Sequence, residues 1–152
     1  MEKLSRMGLV AALYVVLTVM PPFYALSYGP IQIRVSECLT VLPFLFPETI
    51  WGLTAGCLIA NTLGNVGFHD IVFGTLFTLM AGFLTARVKK NWLAPLPPVL
   101  INSFGVSLYL SPLFKVPYFY SVLYIMIGEA IACYGIGFSL LQVLKRRGIT
   151  RR

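Results

Sequence analysis

Apolar runs fill this sequence almost end to end, and a chain built that way has few folds open to it. The runs cover residues 7–26, 39–46, 49–64, 71–86, 93–110 and 118–144. As helix, roughly 20 apolar residues cross a hydrocarbon core of about 30 Å, with a range of about 17–25. The first run qualifies, and Pro21 and Pro22 are expected to kink or loosen its far end. The run 39–46 is too short alone and contains Pro43. Pro47 and Glu48 read as the start of the next helix, and Gly64-Asn65-Val66-Gly67 as the turn after it. With 58% hydrophobic residues and a mean hydropathy of +0.83, an ordinary soluble domain is excluded. A single integral-membrane domain over residues 1–152 is expected. No small-residue cleavage site follows the first run, so it is expected to remain as a span.

The short second run decides the topology, and the cations decide the second run. If it crosses, there are six spans with both termini on one side. Ten of the twelve Lys and Arg then share that side: Lys3, Arg6, Arg87, Lys89, Lys90 and the five of the tail. Arg34 and Lys115 lie opposite. If the second and third runs form one span, Lys3, Arg6 and Lys115 face the other nine. Cations concentrate in cytoplasmic loops. The expected fold is therefore an all-α membrane protein, a six-transmembrane-helix bundle with both termini cytoplasmic. Its second span is short, completed by residues 35–38, and the bilayer can thin where neighbouring helices shield it. Clustering beside apolar runs, rather than along a basic stripe, argues against nucleic acid as the partner of a chain with net charge +7.

This topology puts residues 28–37 outside the cytoplasm, together with 64–70 and 111–117. The first segment reads Tyr28-Gly29-Pro30-Ile31-Gln32-Ile33-Arg34-Val35-Ser36-Glu37, a concentration of polar groups in a chain only 11% charged. Hydrocarbon does not solvate such groups, so they face a cavity or each other. The segment reads as a cap over a ligand site, although an ion pair between Arg34 and Glu37 is a rival to ligand contact. Glu129 is the sharpest signal inside the membrane. It lies 11 residues into the last run, roughly 16 Å deep at about 1.5 Å per residue. A carboxylate near the midplane costs about 2.5–3.5 kcal/mol on insertion scales and needs a cavity or a partner. The plainer reading is a protonated acid hydrogen-bonded within the bundle. Asn61 and Asn102 are candidate lining groups, against the alternative that they bridge helices. Glu48 reads as a helix-start residue on the cytoplasmic side, and Asp70 as a cap of the fourth helix. Tyr24, Tyr28, Phe68, Tyr109, Tyr118, Phe119 and Tyr120 gather at the outer face. Most read as an interfacial belt, with one or two available to stack on a ligand. Trp51 and Trp92 read as anchors at the cytoplasmic ends.

No phosphate-binding G-x-x-x-x-G-K-[ST] loop and no G-x-S-x-G elbow occurs, and His69 has no evident nucleophile partner. No enzyme is read here. Cys38, Cys57 and Cys133 lie far apart in or beside apolar runs and read as small buried hydrophobes, and no metal site is expected.

The cap 28–37, the stretch Leu39-Thr40-Val41-Leu42-Pro43-Phe44 and the segment from Ile50 to Asn61 resemble the QueT-type queuosine-precursor transporter family. Its members are substrate-binding S components of energy-coupling-factor transporters in the bacterial cell membrane. The resemblance covers nearly the whole chain. It implies a six-helix capture protein, partnered by a transmembrane coupling subunit and two ATPase subunits, with no cofactor of its own. It implies a 7-deazaguanine ligand, such as 7-aminomethyl-7-deazaguanine or queuine, held by Gln32, Arg34, Glu37, Asn61, Asn102 and Glu129. A guanine-like edge suits a carboxylate, its carbonyl needs a donor such as an amide or Arg34, and the cationic aminomethyl group gives a second carboxylate its purpose. Which acid takes which end is open. Docking on the coupling subunit is implied for a small-residue face of the first span, Gly8 and Ala12 beside Ala11. Two other classes stand beside this one. One is a proton-coupled exporter of cationic drugs using Glu129, and the other is a purely structural membrane subunit.

Overall fold

The computed structural model describes residues 1–28, 33–64 and 66–149. Among them the chain is helical throughout: α1 (Glu2–Val19), α2 (Pro21–Ser27), a 3-10 helix (Val35–Phe44), α3 (Thr49–Leu63), α4 (Asp70–Arg87), α5 (Asn91–Phe114) and α6 (Tyr118–Arg146). Helices α4, α5 and α6 are long and apolar enough to cross a membrane, and α1 with α2 makes a fourth such unit, bent by 80° at the break. The bend falls where Pro21 and Pro22 occupy the first turn of α2, so Met20 is extended and a new helix starts in a new direction.

The remaining two helices are shorter. At about 1.5 Å per residue the 15 residues of α3 reach roughly 22 Å. The ten residues from Val35 to Phe44 would reach only about 15 Å as α-helix. Wound as 3-10, at about 2.0 Å per residue, they reach roughly 20 Å. This helix is buried from Ser36 to Phe44 without a break. It is buried on every side because it packs against α1, α3, α4 and α6, and its polar residues Ser36, Glu37 and Thr40 find partners inside the bundle. The short helix is therefore the axis of the bundle, with α1, α3, α4 and α6 around it.

Glycines set how closely the surrounding helices approach. A Cβ on Gly52 would lie 2.4 Å from the Met7 carbonyl oxygen, and one on Gly56 would lie 2.9 Å from that of Ala11. Helix α3 thus lies directly against the backbone of α1, as small residues allow in membranes. Gly137 does the same for α6, where a Cβ would lie 2.7 Å from the Cys38 carbonyl oxygen. One apolar cluster joins Val10, Tyr14, Cys38, Leu39, Leu42, Leu53, Cys57 and Ala60 on one side of the axial helix. Another joins Val41, Phe44 and Leu45 to Ala94 and Leu141 on the other.

Candidate functional site: a two-part polar cluster at the head of the axial helix

Polar groups collect where the axial helix begins. Arg34 precedes its first residue and Glu37 lies one 3-10 turn on, about 6 Å along the axis. Both are buried. They do not pair with each other. The guanidinium donates from Nη2 to Asp70 Oδ2 at 2.8 Å, from Nη1 to Asn61 Oδ1 at 3.0 Å and from Nε to the Ser27 carbonyl at 3.2 Å. Asp70 thus replaces Glu37 as the partner that spacing along the sequence suggested. Nor does its carboxylate cap α4: the N-cap position is His69, and the Asp70 oxygens accept from Arg34 and Tyr109. Asp70 is fully buried and also accepts from the Tyr109 hydroxyl at 2.6 Å. Asn61 completes the ring by donating from Nδ2 to the Asp70 carbonyl at 2.8 Å.

Local backbone form makes room for this ring. The first turn of α4, Asp70–Gly74, is wound as π-helix, a form that often accompanies functional sites. Gly74 closes it, and a Cβ there would lie 2.9 Å from Asn61 Nδ2, 3.1 Å from Asp70 Oδ1 and 3.2 Å from the Tyr109 hydroxyl. Tyr28 covers the ring from the side, with Arg34 over its face at 5.4 Å. Its hydroxyl donates to the Ala60 carbonyl at 2.6 Å. Burial pushes the Tyr28 phenol up to about 12, so it remains a donor at any ordinary pH. A cleft of about 420 Å³, lined by His69, Leu108, Tyr109, Pro112 and Leu113, reaches the same Tyr109.

The second part joins three of the residues singled out from the sequence. Asn102 Nδ2 donates to Glu37 Oε2 and to Glu129 Oε1, each at 3.2 Å. Tyr14 on α1 donates its hydroxyl to Glu37 Oε1. Cys133, one turn beyond Glu129 in the π-wound stretch Ile131–Gly137, approaches Glu129 Oε2 at 3.6 Å and the Glu37 carbonyl at 3.4 Å. Glu37, Asn102 and Glu129 are all buried. The nearby cation, Arg34, is committed to Asp70. One acceptor is left over: Asn102 Oδ1 is buried without a hydrogen-bond partner. Turning the amide would aim that oxygen at two carboxylates, so the orientation is settled by its neighbours.

Among the sequence candidates, Glu37, Asn102 and Glu129 meet in one place, and Arg34 and Asn61 meet in the adjoining one. Gln32 lies outside the described residues. Tyr14, Asp70, Tyr109 and Cys133 join the cluster without having been singled out for it. Glu48 sits at the opposite end of the bundle, paired with Arg6 at 3.2 Å. Gly8 and Ala12 face outward, with open space around Gly8, whereas Ala11 turns in against Gly56. Trp51 and Trp92 are exposed, as are Phe68, Phe119 and Tyr120, which fits an interfacial belt.

Comparison with known proteins agrees with the sequence. The model of the family described as QueT transporter matches residues 4–146. The queuosine precursor transporter QueT of Lactococcus lactis subsp. cremoris (strain MG1363) is 47% identical over 73 residues, 48% of this chain and 43% of that protein. The riboflavin transporter MCH5 of Saccharomyces cerevisiae (strain ATCC 204508 / S288c) is 33% identical over 87 residues, 56% of this chain and 17% of that protein. This chain therefore spans less than half the length of either relative. No solved structure matches. Both relatives are transporters rather than enzymes. With its family model matched over nearly the whole length and its apolar helices, this chain is a membrane protein and belongs to the QueT transporter family.

Proposed function

We propose that this chain is the substrate-capture S component of an energy-coupling-factor importer in a bacterial plasma membrane. It binds a queuosine precursor of the 7-deazaguanine class from the extracytoplasmic side and works with a transmembrane coupling subunit and two ATPase subunits. In this reading the axial 3-10 helix and α3 both cross, giving six spans with both termini cytoplasmic. The observation that carries the proposal is the polar cluster itself. An otherwise apolar bundle holds Arg34, Glu37, Asn102 and Glu129 buried at the head of its axis, with an acceptor on Asn102 left unpaired. A membrane bundle tolerates such groups where they serve a substrate or a pathway. The relative from Lactococcus, a transporter of a queuosine precursor by name, supports the ligand class.

The chain carries no phosphate-binding loop, so it is expected to bind ligand without concentrating it. Reconstituted alone in liposomes, it should show saturable binding of 7-aminomethyl-7-deazaguanine and no accumulation against a gradient. Concentrative uptake by this chain alone, above all uptake or efflux driven by a pH gradient, would refute the S-component role and favour the proton-coupled exporter.

The outward face of α1 supplies a second expectation. Gly8 and Ala12 present small side chains there, and a bulky residue on a close-packed helix face separates backbones. Gly8→Leu and Ala12→Leu should leave ligand affinity nearly unchanged while weakening co-purification with the coupling subunit. Undiminished co-purification would place the docking face elsewhere.

A further inference from the structure

Glu37 and Glu129 each accept from Asn102 Nδ2 at 3.2 Å, so the two carboxylate oxygens lie within twice that distance of one another. That is too close for them to grip opposite ends of a bicyclic base. They form one acidic clamp, and Asn102 Nδ2 holds the place between them. The same amide keeps its oxygen buried and unpaired. A cationic nitrogen that displaces Asn102 Nδ2 from that place meets Glu37 Oε2 and Glu129 Oε1; with positive charge between the acids the amide is free to turn, and its unpaired Oδ1 becomes the third acceptor. The outer oxygen of each acid is already engaged, which leaves the inner pair for the ligand. Tyr14 already satisfies Glu37 Oε1, and Cys133 lies beside Glu129 Oε2.

Three acceptors with two carboxylates among them match one chemical group closely. A primary ammonium carries a positive charge and three N–H donors, and it has no acceptor of its own. A hard metal ion does not match, because it needs six or more oxygen ligands. Among the described residues, no group of three or more His, Cys, Asp or Glu could hold a metal. We infer that Glu37, Glu129 and Asn102 form a clamp for a single primary ammonium group of the ligand, both acids serving the same end. This deepens the transport reading above and rests on it for the rest of the ligand. The ring face and carbonyl edge of the base then fall to other groups.

The test is a calorimetric titration of the detergent-purified chain with three matched 7-deazaguanines: 7-aminomethyl, 7-(dimethylaminomethyl) and 7-cyano. The dimethyl compound keeps the charge with one N–H, and the cyano compound has neither charge nor donor at that end. The primary amine should bind about ten-fold or more tightly than either, the scale of one charge-assisted hydrogen bond. The preference should fall toward unity in Glu37→Gln and in Glu129→Gln. It is a ratio within one protein, so a partly misfolded variant does not distort it. Equal binding of the cyano compound would overturn the clamp and leave the transport reading standing. If none of the three binds, the transport reading fails and the clamp is judged on small amines. A rise in melting temperature with methylammonium but not tetramethylammonium, absent from both Gln variants, keeps the clamp, and no such rise overturns it.

Discussion

Asp70→Asn is expected to lower the unfolding temperature of the detergent-purified protein more than any single change on its lipid-facing surface. Arg34 is buried and makes its ion pair with Asp70 at 2.8 Å. Arginine stays charged in proteins, so removing the counter-charge leaves an uncompensated cation in the bundle. Breaking a buried pair from one side costs about 3–5 kcal/mol. The loss should extend to the neighbours, because Tyr109 donates to the same carboxylate and Asn61 to the same residue's carbonyl. Replacing both partners at once, as in Arg34→Met with Asp70→Leu, should cost much less than the two single changes together, since no unpaired charge remains. Thermal melts of the two single variants and the double variant check this. Additive losses would mean that the pair contributes as two independent groups.

The second large effect is on binding. Glu129→Gln is expected to weaken binding of 7-aminomethyl-7-deazaguanine by about ten- to a hundred-fold, corresponding to about 1.5–3 kcal/mol for a hydrogen bond to a charged group. Glu129 sits 11 residues into α6 and shares Asn102 Nδ2 with Glu37. Water does not substitute for a lost partner there, and low local dielectric strengthens what remains. Glu48→Gln is the control. Its partner is Arg6, at the other end of the bundle, and affinity should change little. Gln is nearly isosteric with Glu, so a melt without ligand separates a folding defect from a binding defect. Equal affinities for the parent and Glu129→Gln would make Glu129 a packing acid and return the site to Glu37 and Arg34.

Part of this arrangement is legible in the sequence and part is not, for identifiable reasons. Asn102 and Glu129 stand out because each is a polar residue deep in an apolar run, where hydrocarbon makes polarity costly. Glu37 stands out in the dense polar segment 28–37. The partner of Arg34 is hidden, because Asp70 lies 36 residues away, and only Glu37 is near enough along the chain to suggest itself. Tyr28 and Tyr109 read as members of an aromatic belt, yet their hydroxyls turn inward to Ala60 and Asp70. A tyrosine has an apolar body and a polar tip, and sequence does not say which one faces the bundle. Tyr14 and Cys133 look like ordinary core residues for the same reason.

The axial helix shows the limit for the fold. The run 39–46 is visibly too short for a crossing α-helix, and the cation distribution argues for an additional crossing nonetheless. What periodicity does not reveal is the 3-10 winding from Val35, which adds reach per residue, or the burial on all sides that makes such a winding tolerable. Gly74 likewise reads as one more glycine in an apolar run. Only the positions of Asn61, Asp70 and Tyr109 around it show that a Cβ would press on all three polar groups and shift the ring.

If the head of the axial helix is a complete 7-deazaguanine site, as proposed, this chain binds that ligand with no other subunit present. The most direct measurement is an equilibrium binding titration of the purified chain, without coupling or ATPase subunits, against a panel of 7-deazaguanines and common vitamins, riboflavin among them. Saturable binding of a 7-deazaguanine at one ligand per chain is expected, with no comparable binding of any vitamin. Saturable binding of a vitamin with none of a 7-deazaguanine, or binding of a 7-deazaguanine only when the other subunits are present, would contradict the proposal.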